Sequence, residues 1–314
     1  MNTIFRKIVE GFKIFFSKKD HYNHVIIMVD GGFCSVLLKY ALGLGVKKNL
    51  GLDVKYDLTW FEKYGKDCDN KFDRKFQLLE LFPTLDYKIA SKREIKIFKK
   101  RYYYNNKYPY KFDSSLYKIN EPRYIDGYYE NWQYLKEVRS ELIEKIDFNN
   151  LELNQKNLEY LADIESSQSI AIHIRRGDYV NLGMSILEVD YYLNAIRFIQ
   201  NKLGNAKPKL FLFSNDLDWV KTELVPKIAN DLNSIIVDVN DNNQGYLDLF
   251  LISKCKHQIS SNSSFGFWGG YLNQNPEKIV IIPNKWLPVE DEYTIGSTLA
   301  HNYPGFYILS YDGR

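Results

Sequence analysis

The chain has 314 residues, of which 45% are hydrophobic and 26% charged, and its formal net charge is +3. This composition predicts a globular protein of one large or two ordinary domains, and so small a charge argues against nucleic acid as the main partner. Cys34, Cys68 and Cys255 have no metal-binding or CxxC spacing and cannot all pair, which indicates a reducing, cytoplasmic location.

Residues 1–19 are predicted to form a basic amphipathic helix. Apolar residues recur at helical spacing from Ile4 to Phe16, with basic residues between them. Such a helix either lies in an anionic membrane surface or docks on its own domain, because both uses have the same periodicity. Lys18 and Lys19 favour peripheral contact with the inner face of the cytoplasmic membrane. The sequence has no secretory cleavage pattern and no segment apolar enough to span a bilayer.

The first regular elements follow this segment. An apolar strand, 24–29, leads to Gly31 and Gly32 and then to a helical pattern over about 35–49. An irregular, polar region is predicted for 88–124, and a second helical pattern for about 132–146.

The polar region contains a basic segment, 88–111, with nine Lys or Arg residues, one acid and five tyrosines. We interpret it as a loop that binds a carbohydrate ligand, because aromatic rings stack on sugar rings. The alternative is a solvated charged face.

The most informative segment is an apolar strand, 169–174, that ends in Arg175, Arg176, Gly177 and Asp178. Ligands of open α/β sheets bind beyond the carboxyl ends of the strands, and guanidinium groups suit a diphosphate there. The alternative is an Arg–Asp salt bridge that braces the turn. His173 points to the same side as Arg175 by strand alternation, so we assign it to orienting that arginine or a phosphate.

Strands and helices alternate from this point onward. This alternation predicts a parallel sheet with helices on both faces. The predicted strands are 169–174, 209–213, 235–238, 257–260 and 278–282, and the predicted helices are about 190–203, 216–224, 245–254 and 264–272.

Polar residues follow two of these strands. Ser214 and Asp216 come after 209–213, and Asp216 either binds the guanine or ribose of a nucleotide or caps the next helix. The run 260–264, Ser-Ser-Asn-Ser-Ser, lies between a strand and a helix, where it forms either an anion site or a plain N-cap. Capping needs only one such side chain, so five in a row favour a ligand.

The segment from His173 to Tyr179 resembles the hallmark of the bacterial α-1,2-fucosyltransferases, glycosyltransferase family 11. Other segments are similar to further motifs of that family, in order and at family-like spacing: Tyr124–Tyr129 with Tyr134-Leu135, Leu210–Val220, Asp248–His257, Ser260–Gly269 and Lys278–Pro283. Gly31, Gly32 and Tyr40-Ala41 also match. Cys34, Ser35 and Val36, however, replace the Gly-Asn-Gln triplet that the family usually has.

The resemblance implies an α/β fold of the GT-B-like class, with two Rossmann-like domains facing a cleft. We expect residues 1–160 to form the acceptor-side domain and residues 161–314 to bind the nucleotide sugar. The implied reaction is inverting transfer of L-fucose from GDP-fucose to the 2-hydroxyl of a galactose-terminated acceptor, in the synthesis of a bacterial surface glycan such as lipopolysaccharide or capsule. The acceptor is lipid-linked if residues 1–19 contact a membrane. The altered triplet keeps two alternatives open: a related GT-B enzyme with another donor, and a catalytically silent protein that binds glycans or nucleotide sugars.

Site residues follow from this assignment. Arg175 would stabilise the leaving diphosphate, with Arg176 helping or bracing the loop through Asp178. The general base is one of Asp30, Asp126, Glu130 and Asp178, among which the sequence does not choose. Asp216 and Asp218 form an Asp-x-Asp pattern, but a helix would point their carboxylates apart, so we predict no metal and no cofactor. The predicted catalytic residues are Arg175 and Asp178, and the predicted donor-binding residues are Gly31, Gly32, His173, Arg175, Arg176, Ser214, Asp216, Asn262, Ser263, Ser264 and Phe265.

Overall fold

The computed structural model describes residues 22–66, 73–184, 186–204, 207–241, 243–286 and 303–310. The predicted N-terminal helix, residues 1–19, lies outside this part of the chain. The described residues form two parallel β-sheets with helices packed against them. No helix in these ranges is long and apolar enough to cross a membrane.

The N-terminal sheet has five parallel strands in the order β3-β2-β1-β5-β4. The chain runs outward from β1 to the edge at β3, crosses to the opposite edge at β4, and returns to β5 beside β1. The strands are β1 (His24–Met28), β2 (Asp53–Asp57), β3 (Lys88–Ile89), β4 (Tyr103–Asn105) and β5 (Arg123–Asp126). The helices are α1 (Phe33–Leu50), α2 (Thr59–Lys63), α3 (Leu78–Leu81), α4 (Lys92–Arg101), α5 (Ser115–Lys118), α6 (Trp132–Lys136) and α7 (Arg139–Lys145).

The C-terminal sheet has six parallel strands in the order β11-β10-β9-β6-β7-β8. The chain moves from the central strand β6 to one edge and then returns to β9, which lies on the other side of β6. The strands are β6 (Ser169–Ile174), β7 (Lys209–Ser214), β8 (Ser234–Val237), β9 (His257–Ile259), β10 (Val280–Pro283) and β11 (Phe306–Leu309). The helices are α8 (Gln155–Ser166), α9 (Gly177–Leu182), α10 (Val189–Lys202), α11 (Leu217–Trp219), α12 (Gly245–Lys254) and α13 (Ser264–Leu272).

Each sheet has a point at which the strand order reverses, between β1 and β5 in one sheet and between β6 and β9 in the other. Loops leave the carboxyl ends of such strand pairs in opposite directions and open a crevice, which is where ligands of α/β folds bind. The predicted GT-B-like class, with two Rossmann-like sheets, is thus confirmed.

The longest helix, α1, is apolar on nearly all sides because it lies between the two halves of the molecule. Twelve of its residues are buried. Gly43 allows it to approach β2, since a Cβ at that position would clash with the hydroxyl of Tyr56. The helix ends at Gly51, whose φ of 66° is the left-handed conformation typical of a helix C-terminus.

One continuous hydrophobic core connects the halves. It includes Leu37 and Leu44 of α1 together with Trp268 and Tyr271 of α13. Arg139 of α7 donates to the carbonyl of Tyr271 at 3.0 Å and to that of Asn273 at 2.9 Å. These contacts hold the C-terminal end of α13 against the N-terminal half.

Two predictions about elements need correction. The region 88–124, predicted to be irregular, contains β3, α4, β4 and α5. Helix α4 forms because Ser91 and Glu94 make a reciprocal capping box and its apolar residues share one face. The predicted helix 132–146 is divided into α6 and α7.

The domain boundary, expected approximately between residues 150 and 167, falls in the region of α8. That helix belongs with the C-terminal sheet, since Tyr160 contacts the carbonyl of Ile236 and Lys209 pairs with Asp163 at 2.6 Å. These contacts favour a boundary before Gln155.

Candidate functional site

The Arg-Arg-Gly-Asp turn lies at the carboxyl end of β6, at the reversal point of the C-terminal sheet. All six residues of β6 are buried, which fixes the position of the turn. The segments that follow β7 and β9 pack on either side of it. Residues from three separate parts of the sequence thereby lie together at one edge of the sheet, as the positions of these motifs after predicted strands had indicated.

Asn215, directly after β7, organises this turn. Its Oδ1 accepts hydrogen bonds from the backbone N–H groups of Arg176 and Gly177 at 3.0 and 3.3 Å. Its Nδ2 donates to Asp178 Oδ1 at 3.0 Å. Gly177 is needed here, because a Cβ would come within 2.9 Å of the Asn215 side chain. Sequence reasoning missed this role, although Asn215 belongs to a segment that it had singled out.

Arg175 is the arginine that pairs with Asp178, through a hydrogen bond of 2.6 Å. An Arg–Asp brace of the turn is therefore present, but Arg175 forms it with Asp178, whereas Arg176 lies near Asp216. The further role expected of Arg176, helping to stabilise the leaving group, stays a prediction. The Arg175 guanidinium also lies 5.7 Å from the ring centre of Tyr179. The side chain is 28% exposed, so the pairing positions the cation and leaves it accessible.

Arg176 faces the other side of the turn. Its guanidinium lies 4.1 Å from the ring centre of Trp219, and its Nε is 3.8 Å from Asp216 Oδ2. Asp216 also accepts a hydrogen bond from the backbone N–H of Trp219, and Ser214 Oγ accepts one from the N–H of Asp216. The capping interpretation of Asp216 thus has direct structural support, and its contact with a donor stays a prediction.

The polar run after β9 mainly builds the turn that leads into α13. Ser263 caps the helix by accepting from the N–H of Phe265, and Asn262 Nδ2 donates to the carbonyl of Trp286. Both side chains are buried, whereas Ser264 is exposed at the first position of α13. The side chains of this run therefore serve the fold more than the sequence had indicated.

His173, in β6, contacts the turn that leads from β9 into α13. Its Nδ1 is 2.9 Å from Ser261 Oγ, and its ring stacks on that of Phe265 with 5.2 Å between centres. Burial lowers the pKa of His173 to about 3, and the charge of Arg175 adds to the effect, so the ring is neutral at physiological pH. The contacts of His173 with Ser261 and Phe265 hold the turn after β9 next to Arg175.

The glycine pair after β1 faces the same region from the N-terminal half. Gly31 has a φ of 77°, and a Cβ on Gly32 would come within 3.2 Å of Arg74 Nη1. Burial raises the pKa of the Cys34 thiol to about 12, while the charges of Arg74 and Arg175 act against this rise. Two arginines from different halves therefore lie near the start of α1. No sequence pattern had indicated Arg74.

The four carboxylates considered as general bases have different surroundings. Asp178 is paired with Arg175, and Asp126 accepts from Tyr103 Oη at 2.8 Å and from the N–H of Gly127 at 2.7 Å. Asp30 and Glu130 lie near Lys39, a lysine only 1% exposed. A signal for Lys39 existed in the sequence, because it is the single charged residue in the apolar run 36–46.

In the ranges that the structure describes, no three His, Cys, Asp or Glu side chains come together in a way that would hold an ion.

Comparison with known proteins adds independent information. An Escherichia coli alpha-1,2-colitosyltransferase is 27% identical over 285 residues, which cover 85% of this chain and 93% of that protein. The O-antigen biosynthesis glycosyltransferase WbnK of Escherichia coli is 35% identical over 127 residues, 39% of this chain and 40% of that protein. Among solved structures, a family 9 glycosyl transferase from Veillonella parvula aligns with a TM-score of 0.46 and 12% identity, over 94% of this chain and 88% of that one. The model of Glycosyl transferase family 11 matches residues 76–295, which is most of the chain. The protein is therefore a glycosyltransferase that belongs to Glycosyl transferase family 11.

Proposed function

We propose that this glycosyltransferase transfers L-fucose from GDP-fucose to the 2-hydroxyl of a galactose-terminated glycan. The observation that carries the proposal is the accessible Arg175 at the reversal point of the C-terminal sheet, in a chain of family 11. A guanidinium at this position suits a sugar diphosphate, because it offers several donors and a permanent charge.

The reaction we infer is direct displacement with inversion at the anomeric carbon. Arg175 would stabilise the negative charge that develops on the β-phosphate as the diphosphate leaves. Preorganised charge of this kind typically contributes ~10²-fold or more to the rate. Asp178 and Asn215 act through Arg175 and its turn, so they are positioning residues in this account.

We also propose that the reaction needs no metal. Asp216 caps α11 and faces Arg176, so its carboxylate already has protein partners. Arg175, with Arg74 nearby, supplies positive charge that a divalent ion provides in other diphosphate sites. EDTA treatment followed by assay tests this point directly.

The biological setting is part of the proposal. One relative is named for O-antigen biosynthesis, which supports a surface glycan as the acceptor. We further infer a cytoplasmic enzyme that meets a lipid-linked acceptor at the membrane surface through residues 1–19.

A second donor has a specific observation in its favour. The relative that matches over nearly its whole length is named as a colitosyltransferase, and colitose is fucose without its 3-hydroxyl. The unusual Cys34, Ser35 and Val36 lie at the start of α1, and Cys34 is close enough to Arg175 to feel its charge. We infer that this segment affects the choice of sugar.

The test is an assay with GDP-fucose and GDP-colitose as alternative donors and a galactose-terminated acceptor, with and without EDTA. The proposal predicts a 1,2-linked fucosylated product by NMR, with the same rate in EDTA. Transfer of colitose alone would replace the donor assignment. GDP binding without transfer of either sugar would support a silent binding protein instead.

A further inference from the structure

A basic cavity lies on the N-terminal half, between α2 and α4. Its volume is about 500 Å³, and the charged side chains that line it are Glu62, Lys63, Lys92, Lys96, Lys99 and Lys100. Five ammonium groups and one carboxylate thus surround a single open space. No residue of the candidate functional site lines this cavity.

Helix α4 supplies most of these cations because its apolar side faces the sheet. Three apolar residues of α4 are buried, whereas the six Lys and Arg residues among its ten are all exposed. Its single acid, Glu94, forms the capping box with Ser91 and pairs with Lys55. No carboxylate of α4 therefore offsets the charge of its exposed face.

The stability of α4 does not account for this charge. Lys96 has Lys92 and Lys100 four residues away on either side, and like charges at this spacing repel each other along a helix. Lys92 and Arg93 lie in the first turn, where the helix dipole disfavours cations. The charge of the first turns of α4 therefore has a reason outside the helix itself.

Lys99 is the cation of the cavity that the protein holds in place. Its Nζ lies 3.2 Å from Oδ2 of Asp57, a side chain with no exposed surface, and 5.0 Å from the ring centre of Tyr124. Tyr124 Oη donates to the same Asp57 oxygen at 2.6 Å. The position of this ammonium group is set before any ligand arrives, which lowers the entropy cost of binding.

Three other lysines of the cavity have no acidic partner. Lys92 pairs with Glu62 at 3.0 Å. No acidic side chain in the part of the chain that the structure describes pairs with Lys63, Lys96 or Lys100. The two carboxylates that contact these lysines leave three of the five charges unbalanced. This excess of positive charge attracts anions.

The surroundings of the cavity suit a phosphate group on a lipid surface. Lysine binds phosphate as a point charge, so several ammonium groups around an open space accept a headgroup from outside. Tyr64 directly follows Lys63 at the end of α2 and is 70% exposed, more than any other large hydrophobic side chain that the structure describes. An amphipathic ring next to lysines is typical of a surface at the membrane–water interface.

We propose that this cavity binds the phosphate groups of anionic lipids and that it docks the N-terminal half on a membrane. The inference does not depend on the sugar that the enzyme transfers, since it rests on residues outside the candidate site. It adds a contact made by the folded N-terminal half to the one proposed for residues 1–19. Attraction of this kind grows with each Lys near the surface and weakens with salt.

The experiment measures co-sedimentation of the full chain with vesicles of phosphatidylcholine alone and of equal parts phosphatidylcholine and phosphatidylglycerol. The test variant carries Lys96→Gln and Lys100→Gln. The matched control carries Lys118→Gln and Lys221→Gln, which remove the same charge from exposed positions outside the cavity. We expect the test variant to bind the anionic vesicles about 10- to 30-fold more weakly than the wild type, and the control to bind as the wild type does.

Two further measurements accompany this comparison. The wild type should bind the anionic vesicles more weakly at high salt. The unfolding temperature of the test variant should not fall, because the loss of like charges four residues apart does not destabilise a helix. A weaker binding to vesicles then reflects the lost charge and not a damaged fold.

A separate arm distinguishes a lipid phosphate from a soluble one. Inorganic pyrophosphate is added to the wild type and to the test variant, and the rise in unfolding temperature is compared. Arg175 is present in both proteins, so a difference between them reports on the cavity. We expect equal rises, because a membrane presents many anions at once and a free anion does not. A larger rise in the wild type, with equal vesicle binding, would assign a soluble phosphate to the cavity and overturn the lipid assignment.

The remaining outcomes also decide the proposal. Equal binding of the wild type and the test variant to anionic vesicles overturns it. A loss confined to a variant with Lys18→Gln and Lys19→Gln overturns it as well, because residues 1–19 alone would then make the contact. A wild type that binds neither kind of vesicle contradicts both membrane contacts. None of these results bears on sugar transfer, which the donor assay tests separately.

Discussion

Single residues hold the Arg-Arg-Gly-Asp turn in shape. Asn215 makes three hydrogen bonds to the Arg-Arg-Gly-Asp turn although its own side chain is exposed. Arg175 and Asp178 form an ion pair within that turn. The position of the cation thus depends on an amide from the neighbouring strand.

Asn215→Ala should therefore affect activity more than stability. Loss of exposed hydrogen bonds costs about 1 kcal/mol of unfolding free energy. Displacement of Arg175 by ~1 Å would lower kcat/KM by about 10²-fold. Urea unfolding and donor kinetics measure the two effects. Asn201→Ala, at the exposed end of α10, serves as the control, and equal kinetics for the two variants would contradict the role of Asn215.

His173 gives a prediction about acid stability. Its pKa is lowered in the folded state to about 3, whereas an unfolded histidine titrates near its ordinary value of 6.5. Below pH 6.5 the unfolded chain therefore binds a proton that the folded one does not, and stability falls as the pH drops from 6.5 towards 3. By pH 5 the loss from this residue amounts to about 2 kcal/mol.

His173→Gln removes that titration and retains a polar partner for Ser261. The difference in unfolding free energy between the wild type and this variant should shrink by about 2 kcal/mol from pH 7 to pH 5. Urea unfolding at the two pH values measures it. A constant difference would show that His173 is not kept neutral by the fold.

The sequence predicted some of these residues and not others. Arg175 and the Ser-Asn-Ser-Ser run were found because they follow strands, and strand ends can be recognised from apolar runs. The pairing of Arg175 rather than Arg176 with Asp178 was missed, because it depends on the direction in which the chain turns after β6. Arg74 was missed because it approaches Gly32 only through folding of the intervening chain.

Secondary-structure elements set the geometry of the crevice. Helix α13 begins beside the Arg-Arg-Gly-Asp turn and packs closely on β6 and β9. Gly266 permits this approach, since a Cβ there would clash with Ser260 Oγ and lie 2.9 Å from His173 Nδ1. The polar run after β9 and helix α13 therefore form one structural unit.

Gly266→Ala should destabilise the protein by about 1–3 kcal/mol, the usual cost of overpacking a buried site. It should also weaken GDP binding, because α13 and its turn must move. Gly245→Ala is the control, since its new Cβ would meet Phe265 at an ordinary 3.7 Å. Equal unfolding midpoints for the two variants would contradict the tight packing of α13.

Prediction from sequence worked better for the C-terminal elements than for the N-terminal ones. Helices α12 and α13 were predicted with their exact bounds, because apolar runs and capping residues mark them. The N-terminal strands β2, β3, β4 and β5 were missed, since they are short and carry polar residues such as Asp53, Lys88, Tyr103 and Arg123. Their pairing depends on the neighbouring strands more than on local propensity.

At the scale of the whole molecule, the two sheets share one hydrophobic core, and a few polar contacts fix how they face each other. Arg139 binds two carbonyls at the end of α13, a helix terminus where positive charge is favourable. Tyr271 Oη donates back to the carbonyl of Leu135 at 2.8 Å. Arg74 and Arg175 come from different halves and both lie near the start of α1, so the geometry of this region depends on how the halves face each other.

Arg139→Ala should lower the unfolding free energy by about 1–2 kcal/mol, because partly buried carbonyls lose their donor. It should also lower kcat through misalignment of the two halves, while binding of GDP to the C-terminal half changes less. Arg93→Ala, on the exposed side of α4, is the control. A variant with unchanged stability and kcat would indicate that the apolar core alone fixes the arrangement.

The central claim is that Arg175 holds the diphosphate of a guanosine donor at the edge of the C-terminal sheet. Calorimetric titration of GDP and UDP into the wild type, Arg175→Ala and the surface control Arg197→Ala tests it most directly. We predict that the wild type and the control prefer GDP over UDP, and that Arg175→Ala binds GDP about tenfold or more weakly, as expected for a lost charged hydrogen bond. Equal GDP affinity in all three proteins, or a preference for UDP, would contradict the account.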